Sequence, residues 1–133
     1  MNIKGTKTEQ NLMDAFAGES AARNKYTYYA AKARSEGYSQ IAKIFEETAD
    51  NEKEHARIWF ELLQGGEVGP TASNLLDAAK SERYEWTEMY DAMAREAEEE
   101  GFFGMAQRFR AAGDIEKDHE ERFLDLLRDI EEK

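Results

Sequence analysis

Two short segments of this chain combine residues that could hold a metal: Glu52-Lys53-Glu54-His55 and, 64 residues later, Glu116-Lys117-Asp118-His119. In each, a glutamate and a histidine stand three apart within what reads as a long helix. Both side chains then lie on one face, about one turn from each other. These are the only two histidines in the protein. Each also falls on an apolar stripe of helical period. Ile41, Phe45, Thr48, Glu52, His55, Trp59 and Leu62 make up the first stripe, and Met105, Phe109, Ala112, Glu116, His119, Phe123 and Leu126 the second. A carboxylate in such a stripe is costly unless something cationic neutralises it.

Further carboxylates are available at matching positions. Glu19 and Glu82 fall on the inward stripes of two other helices, and Glu85 follows Glu82 on the same face, where the repeat-equivalent residue is Ala22. Glu19, Glu52, Glu82, Glu85 and Glu116 carry a formal −5 between them. Two ferrous ions would bring +4 and two ferric ions +6, with His55 and His119 neutral. Without metal, five carboxylates in one layer need raised pKa values or push the layer apart. One imidazole per metal in a carboxylate-rich shell favours iron first and manganese second, whereas zinc prefers fewer carboxylates and a tetrahedral shell. Tyr26 and Tyr90 either fill the core or donate from their hydroxyls to ligand carboxylates.

Positioning such a set requires long helices, and the composition suits them. Of the 133 residues, 35% are charged and only one is proline, Pro70. The expectation is a single all-α domain over 1–133, with helices at about 8–36, 39–63, 71–100 and 102–132. Gly37 closes the first helix, Ser39 caps the second, and Thr71 or Ser73 caps the third. The net charge of −11 and the lack of a basic face argue against nucleic acid or an anionic membrane as partner. No apolar run approaches the ~18 residues of a membrane span, and the polar first residues lack a leader's apolar stretch, so a cytoplasmic protein is expected. The absence of cysteine excludes disulfides, thiolate chemistry and iron–sulphur clusters within these residues.

The chain repeats itself. A shift of 64 aligns Gly37-Tyr38 with Gly101-Phe102, Phe45 with Phe109, and Glu52-Lys53 and His55 with Glu116-Lys117 and His119. In the preceding helices the shift is 63 at Glu19 and Glu82 but 64 at Tyr26 and Tyr90. The third helix therefore holds one extra residue. A helix absorbs such an insertion as a π-bulge, predicted here near Glu85 to Tyr90.

One Glu from each of two helices and a Glu-x-x-His from each of two others is the pattern of the ferritin-like di-metal carboxylate bundles. More specifically, Phe16-Ala17-Gly18-Glu19-Ser20, Ala22-Arg23-Asn24-Lys25-Tyr26, Glu82-Arg83-Tyr84-Glu85-Trp86-Thr87-Glu88-Met89-Tyr90 and the two Glu-x-x-His segments resemble the ligand segments of the rubrerythrin family. The resemblance implies a ferritin-like four-helix bundle built from two repeated hairpins, around two iron ions. Glu52 and Glu116 would bridge the irons, and Glu19 and Glu82 would be terminal ligands. His119 would bind the iron on the Glu82 side, and Glu85 and His55 would exchange as ligands of the other. Tyr26 and Tyr90 match tyrosines that hydrogen-bond ligand carboxylates. The implied activity is reduction of hydrogen peroxide to water. Full-length relatives end in a rubredoxin-like module with four cysteines, which these residues lack, so a separate rubredoxin or another reductase would supply electrons.

The connection between the second and third helices constrains assembly. Leu63 and Thr71 each lie 11 residues from the metal layer, so the two parallel helix ends are about 33 Å apart. Eight steps of chain span at most about 29 Å. A homodimer that swaps hairpins between two chains removes the conflict. The alternatives to a peroxidase are a ferritin-like ferroxidase or iron-handling protein, and a passive di-iron oxygen or peroxide sensor.

Overall fold

The computed structural model describes residues 2–131, and they form helices with no strand among them. These are α1 (Lys7–Ser35), α2 (Ser39–Leu63), α3 (Thr71–Tyr84), α4 (Tyr90–Glu99) and α5 (Phe103–Glu131). A π-helical turn, Glu85–Met89, joins α3 to α4 where the repeat arithmetic placed an insertion, and the Tyr90 amide donates to the Glu85 carbonyl across it. The final predicted helical residue, 132, lies outside the described residues. The chain divides into two compact units, one ending at Val68 and one starting at Gly69.

The first unit is an antiparallel hairpin of α1 and α2. Thr6 accepts the Glu9 amide at 3.1 Å, and Glu9 in turn accepts the Gly5 amide at 3.0 Å, so α1 starts one residue before the predicted boundary. At its far end Gly37 takes φ +87°, the left-handed region open to glycine. Tyr38 N–H then reaches the Ala33 carbonyl at 2.8 Å and Gly37 N–H the Arg34 carbonyl at 3.1 Å. The same pair of bonds recurs at Gly101 and Phe102, which turn the second hairpin from α4 into α5.

Two of the expected caps are corrected. The residues before α2 and α3 are Tyr38 and Pro70, and neither gives a side-chain cap. Ser39 and Thr71 are already helical, because the turn at Gly37 and the fixed φ of Pro70 aim the chain without them. Ser73 instead donates its hydroxyl to the Pro70 carbonyl at 2.8 Å.

The seam of each hairpin is made of small residues. Ala30, Ala33, Ala42, Ala49 and Ala56 are buried in the first, and Ala79, Ala94, Ala97, Ala106, Gly113 and Glu120 in the second. On α2 and α5 these recur every seven residues, the period of a coiled-coil seam. This shifts the predicted stripes by one position. Ile41, Leu62, Met105 and Leu126 are exposed, while Ala42 and Ala106, next to Ile41 and Met105, are buried. Close helix approach selects small residues at the centre of the seam and displaces large ones to its flanks. Among the described residues no large side chain is fully buried. Gly18, placed mid-helix in α1, meets nothing within 4 Å.

Candidate metal centre

Each hairpin brings together one glutamate from its first helix and a Glu-x-x-His pair from its second. In the first unit Glu19 on α1 meets Glu52 and His55 on α2, with one ligand atom of each within 4.8 Å of the others. His55 Nδ1 lies 3.5 Å from Glu19 Oε1 and 3.9 Å from Glu52 Oε1. In the second unit Glu82 on α3 meets Glu116 and His119 on α5 within the same limit, and His119 Nδ1 lies 3.5 Å from Glu82 Oε1.

The arrangement fits a metal by a test independent of residue type. Glu82 Oε2 and Glu116 Oε2 are buried and accept no hydrogen bond among the described residues. A buried acceptor left unpartnered costs roughly 1–3 kcal/mol, and more when it is charged. A divalent cation held by the two carboxylates and His119 removes that cost and supplies the missing positive charge.

The two triads are not identical. Glu19 Oε2 accepts a 2.6 Å hydrogen bond from the indole N–H of Trp59, whereas Phe123 occupies the matching position in the second hairpin and gives Glu82 no such donor. Glu85 opens the π turn in the second hairpin alone. Burial pushes the Glu85 carboxyl up from its ordinary range, and the neighbouring Glu82 carboxylate adds to this. Glu85 does not join the Glu82–Glu116–His119 triad within its own hairpin. Tyr26 stacks on Phe45 at 6.0 Å and Tyr90 on Phe109 at 6.2 Å, both at 27° between planes. Neither tyrosine hydroxyl makes a hydrogen bond among the described residues.

The sequence reading missed two features. Trp59 was assigned only to the apolar stripe, although an indole N–H one turn from a Glu-x-x-His motif is a donor needing an acceptor. Glu120, one residue after His119, is buried and accepts 2.7 Å from Trp86 Nε1 and 3.4 Å from Arg83. Its signal was the seven-residue spacing from Ala106 and Gly113.

With this geometry in place, comparison with known proteins is informative. A rubrerythrin family profile matches residues 10–127. Rubrerythrin-1 of Clostridium acetobutylicum is 48% identical, over 98% of this chain and 75% of that protein. Rubrerythrin of Porphyromonas gingivalis is 49% identical, over 98% and 71%. The chain belongs to the rubrerythrin family. Among solved structures, nigerythrin in its fully reduced, all-ferrous state is 36% identical across 93% of this chain and 67% of that one, with a TM-score of 0.49. Family membership and the all-helical hairpins make the fold all-α and ferritin-like. Rubrerythrin-family membership and the paired carboxylate–histidine groups together support a di-iron protein of an oxidoreductase family. Among the described residues no helix is long and apolar enough to cross a membrane.

Proposed function

We propose that this chain is a non-haem di-iron peroxidase that reduces hydrogen peroxide to water with electrons from an external donor such as rubredoxin. The observation that carries this reading is the doubled triad, with its unpartnered buried carboxylate oxygens and one additional glutamate, Glu85, on one side only. Iron, when bound, supplies the two electrons that convert H2O2 and two protons into two water molecules. Manganese is the second choice for the same ligands.

The roles of the residues are those that the rubrerythrin resemblance implies. On that resemblance Glu52 and Glu116 would be shared by the two metals, while Glu19, Glu82 and His119 would each hold one. Trp59 fixes one oxygen of Glu19 and thereby its orientation. Glu85 and His55 are exchangeable donors. The carboxylate suits the higher metal charge, and the neutral imidazole, about half exposed and free to turn, suits the lower. Tyr26 and Tyr90, anchored by their stacking partners, carry hydroxyls that donate to ligand carboxylates in the assembled protein.

Assembly completes the site. Each hairpin leaves large apolar side chains open, Ile44 at 63% and Phe103 at 65% of their full exposure. Large apolar surfaces of this kind are buried on association. The reading is a homodimer in which hairpins pair between chains. A compact monomer in light scattering at micromolar concentration would remove it.

The peroxidase reading is tested anaerobically. The iron-loaded protein is reduced with dithionite, and the diferric absorbance is followed after one equivalent of H2O2 or, separately, O2. Fast oxidation by peroxide and slow oxidation by O2 is the expected result. Preference for O2 with continued uptake of many irons per chain would establish the ferroxidase alternative instead.

A further inference from the structure

The repeat makes each hairpin a template for the other, and one position differs in a way that points to a ligand. On the second hairpin Glu120 occupies the seam, with Trp86 and Arg83 as its partners and Lys117 Nζ 5.4 Å from the Trp86 ring centre. On the first hairpin the equivalent of Glu120 is Ala56, the equivalent of Trp86 is Arg23, and the equivalent of Lys117 is Lys53. Ser20 stands in place of Arg83, so the first hairpin keeps one cation at Lys53, gains another at Arg23, and lacks the seam carboxylate. A groove of about 380 Å³ lies there between α1 and α2, floored by Phe16, Ala56 and Phe60 and rimmed by Arg23, Lys53 and Arg57. The two phenylalanine rings are 5.4 Å apart and form one apolar surface.

The charges of this groove are available. Arg57 is occupied by Glu54 at 2.9 Å and Glu61 at 2.8 Å. Arg23 donates only to the amide oxygen of Asn24, and Lys53 makes no ion pair among the described residues. The chain as a whole carries −11, but exposed charges beyond about 8–10 Å are largely screened at physiological salt, so a partner entering the groove meets Arg23 and Lys53 first. Helical spacing turns Lys53 about 100° away from Glu52 on α2, whereas Arg23 stands one turn beyond Glu19 on the same side of α1. A partner that contacts Arg23 is therefore about one helical turn, roughly 6 Å, from Glu19.

We propose that this groove is the docking site of the electron donor, a small acidic redox protein that places a carboxylate side chain between Arg23 and Lys53 and an apolar side chain on Phe16 and Phe60. The inserted carboxylate takes the position that Glu120 fills internally in the second hairpin. The proposal rests on the externally reduced di-iron reading above, and it locates where those electrons enter. Each docking event transfers one electron, oxidising the donor's metal centre by one unit and reducing the protein by one.

The experiment titrates the iron-loaded protein with purified oxidised rubredoxin and reads Kd by calorimetry. Ala56→Glu copies the second hairpin and fills the groove from within. Arg23→Glu with Lys53→Glu reverses its charge, and Lys25→Glu with Lys43→Glu makes the same net charge change elsewhere. Both groove variants are expected to weaken binding at least tenfold, and the control less than twofold. Unchanged Kd in the groove variants overturns the proposal. So does a change in sedimentation of the protein alone, which would show a second copy in the groove. Should Ala56→Glu fail to fold by circular dichroism, the surface double variant decides. The dithionite–peroxide reaction bypasses the donor, so its failure would strike the peroxidase reading while leaving the binding result to judge the docking site.

Discussion

The two hairpins repeat one design, yet each spends its tryptophan differently. In the first, Trp59 donates to Glu19, a proposed ligand carboxylate, and the seam beside it holds only Ala56. In the second, Trp86 donates to Glu120, which is not one of the ligand glutamates, and Phe123 leaves Glu82 Oε2 without a donor. The first hairpin thus orients its ligand and leaves a groove open. The second fills the equivalent seam position with Glu120, keeps a groove of about 310 Å³ beside Trp86, Gly113 and Lys117, and leaves Glu82 Oε2 and Glu116 Oε2 without a donor. Duplication supplied two equal scaffolds, and a few substitutions at seam positions divided the work between them.

The comparison can be broken most severely at the ligands. Glu52→Ala and Glu116→Ala should each lower iron affinity by about 100-fold or more, beyond the ~10–100-fold typical of residues one shell out. Metal stoichiometry by mass spectrometry and the holo-protein's Tm check this. A large loss in one variant alone would show that the triads do not act as a pair.

The next effect is structural and confined to the second hairpin. Glu120→Ala leaves the Trp86 N–H unpartnered in a part-buried site and should cost about 1 kcal/mol in denaturant unfolding. Glu120→Gln retains an acceptor and should recover most of it. Trp59→Phe makes the first hairpin resemble the second. It is expected to weaken iron binding about tenfold with little change in metal-free stability. Equal metal affinity in Trp59→Phe and wild type would show that the Glu19 hydrogen bond does not orient the ligand.

The smallest effect concerns Glu85 and has a sign fixed by its raised pKa. Ionising a carboxyl whose folded pKa lies above its unfolded value costs the folded state stability. That cost is absent below the ordinary carboxylate range, grows as pH rises through it, and is complete above the raised value. Metal-free Glu85→Gln should therefore melt higher than metal-free wild type at neutral pH, by about a degree or two. The difference should vanish on acidification below the carboxylate range. With iron bound the order should reverse, because glutamine is the poorer ligand.

Much of this was legible in the sequence because it depended on periodicity. Histidine and glutamate three apart lie on one face of a helix, and a repeat broken by one residue needs a bulge, so both triads and the π turn at Glu85–Met89 could be inferred. What was not legible depended on distance across the seam. Whether Ile41 or Ala42 faces inward, and whether Trp59 reaches Glu19, is decided by how closely two helices approach. That closeness comes from small residues whose individual propensities say only "helix". The caps failed for a related reason. Ser39 and Thr71 have the right chemistry, but glycine geometry at 37 and the ring of Pro70 had already oriented the backbone.

The alanine seams also set an order of events in folding. Alanine has no rotamers to lose, so closing a seam costs backbone entropy alone. Within the first hairpin every seam contact joins helices separated only by a three-residue turn, and chains dominated by such local contacts fold fast. Each hairpin can thus zip early and independently, and amide exchange should give Ala42–Ala56 and Ala106–Gly113 comparable protection. The slow step is whatever later covers the large apolar residues the seams leave outside. Under the proposed pairing of hairpins between chains, that step, unlike the zipping, depends on how many other chains are nearby.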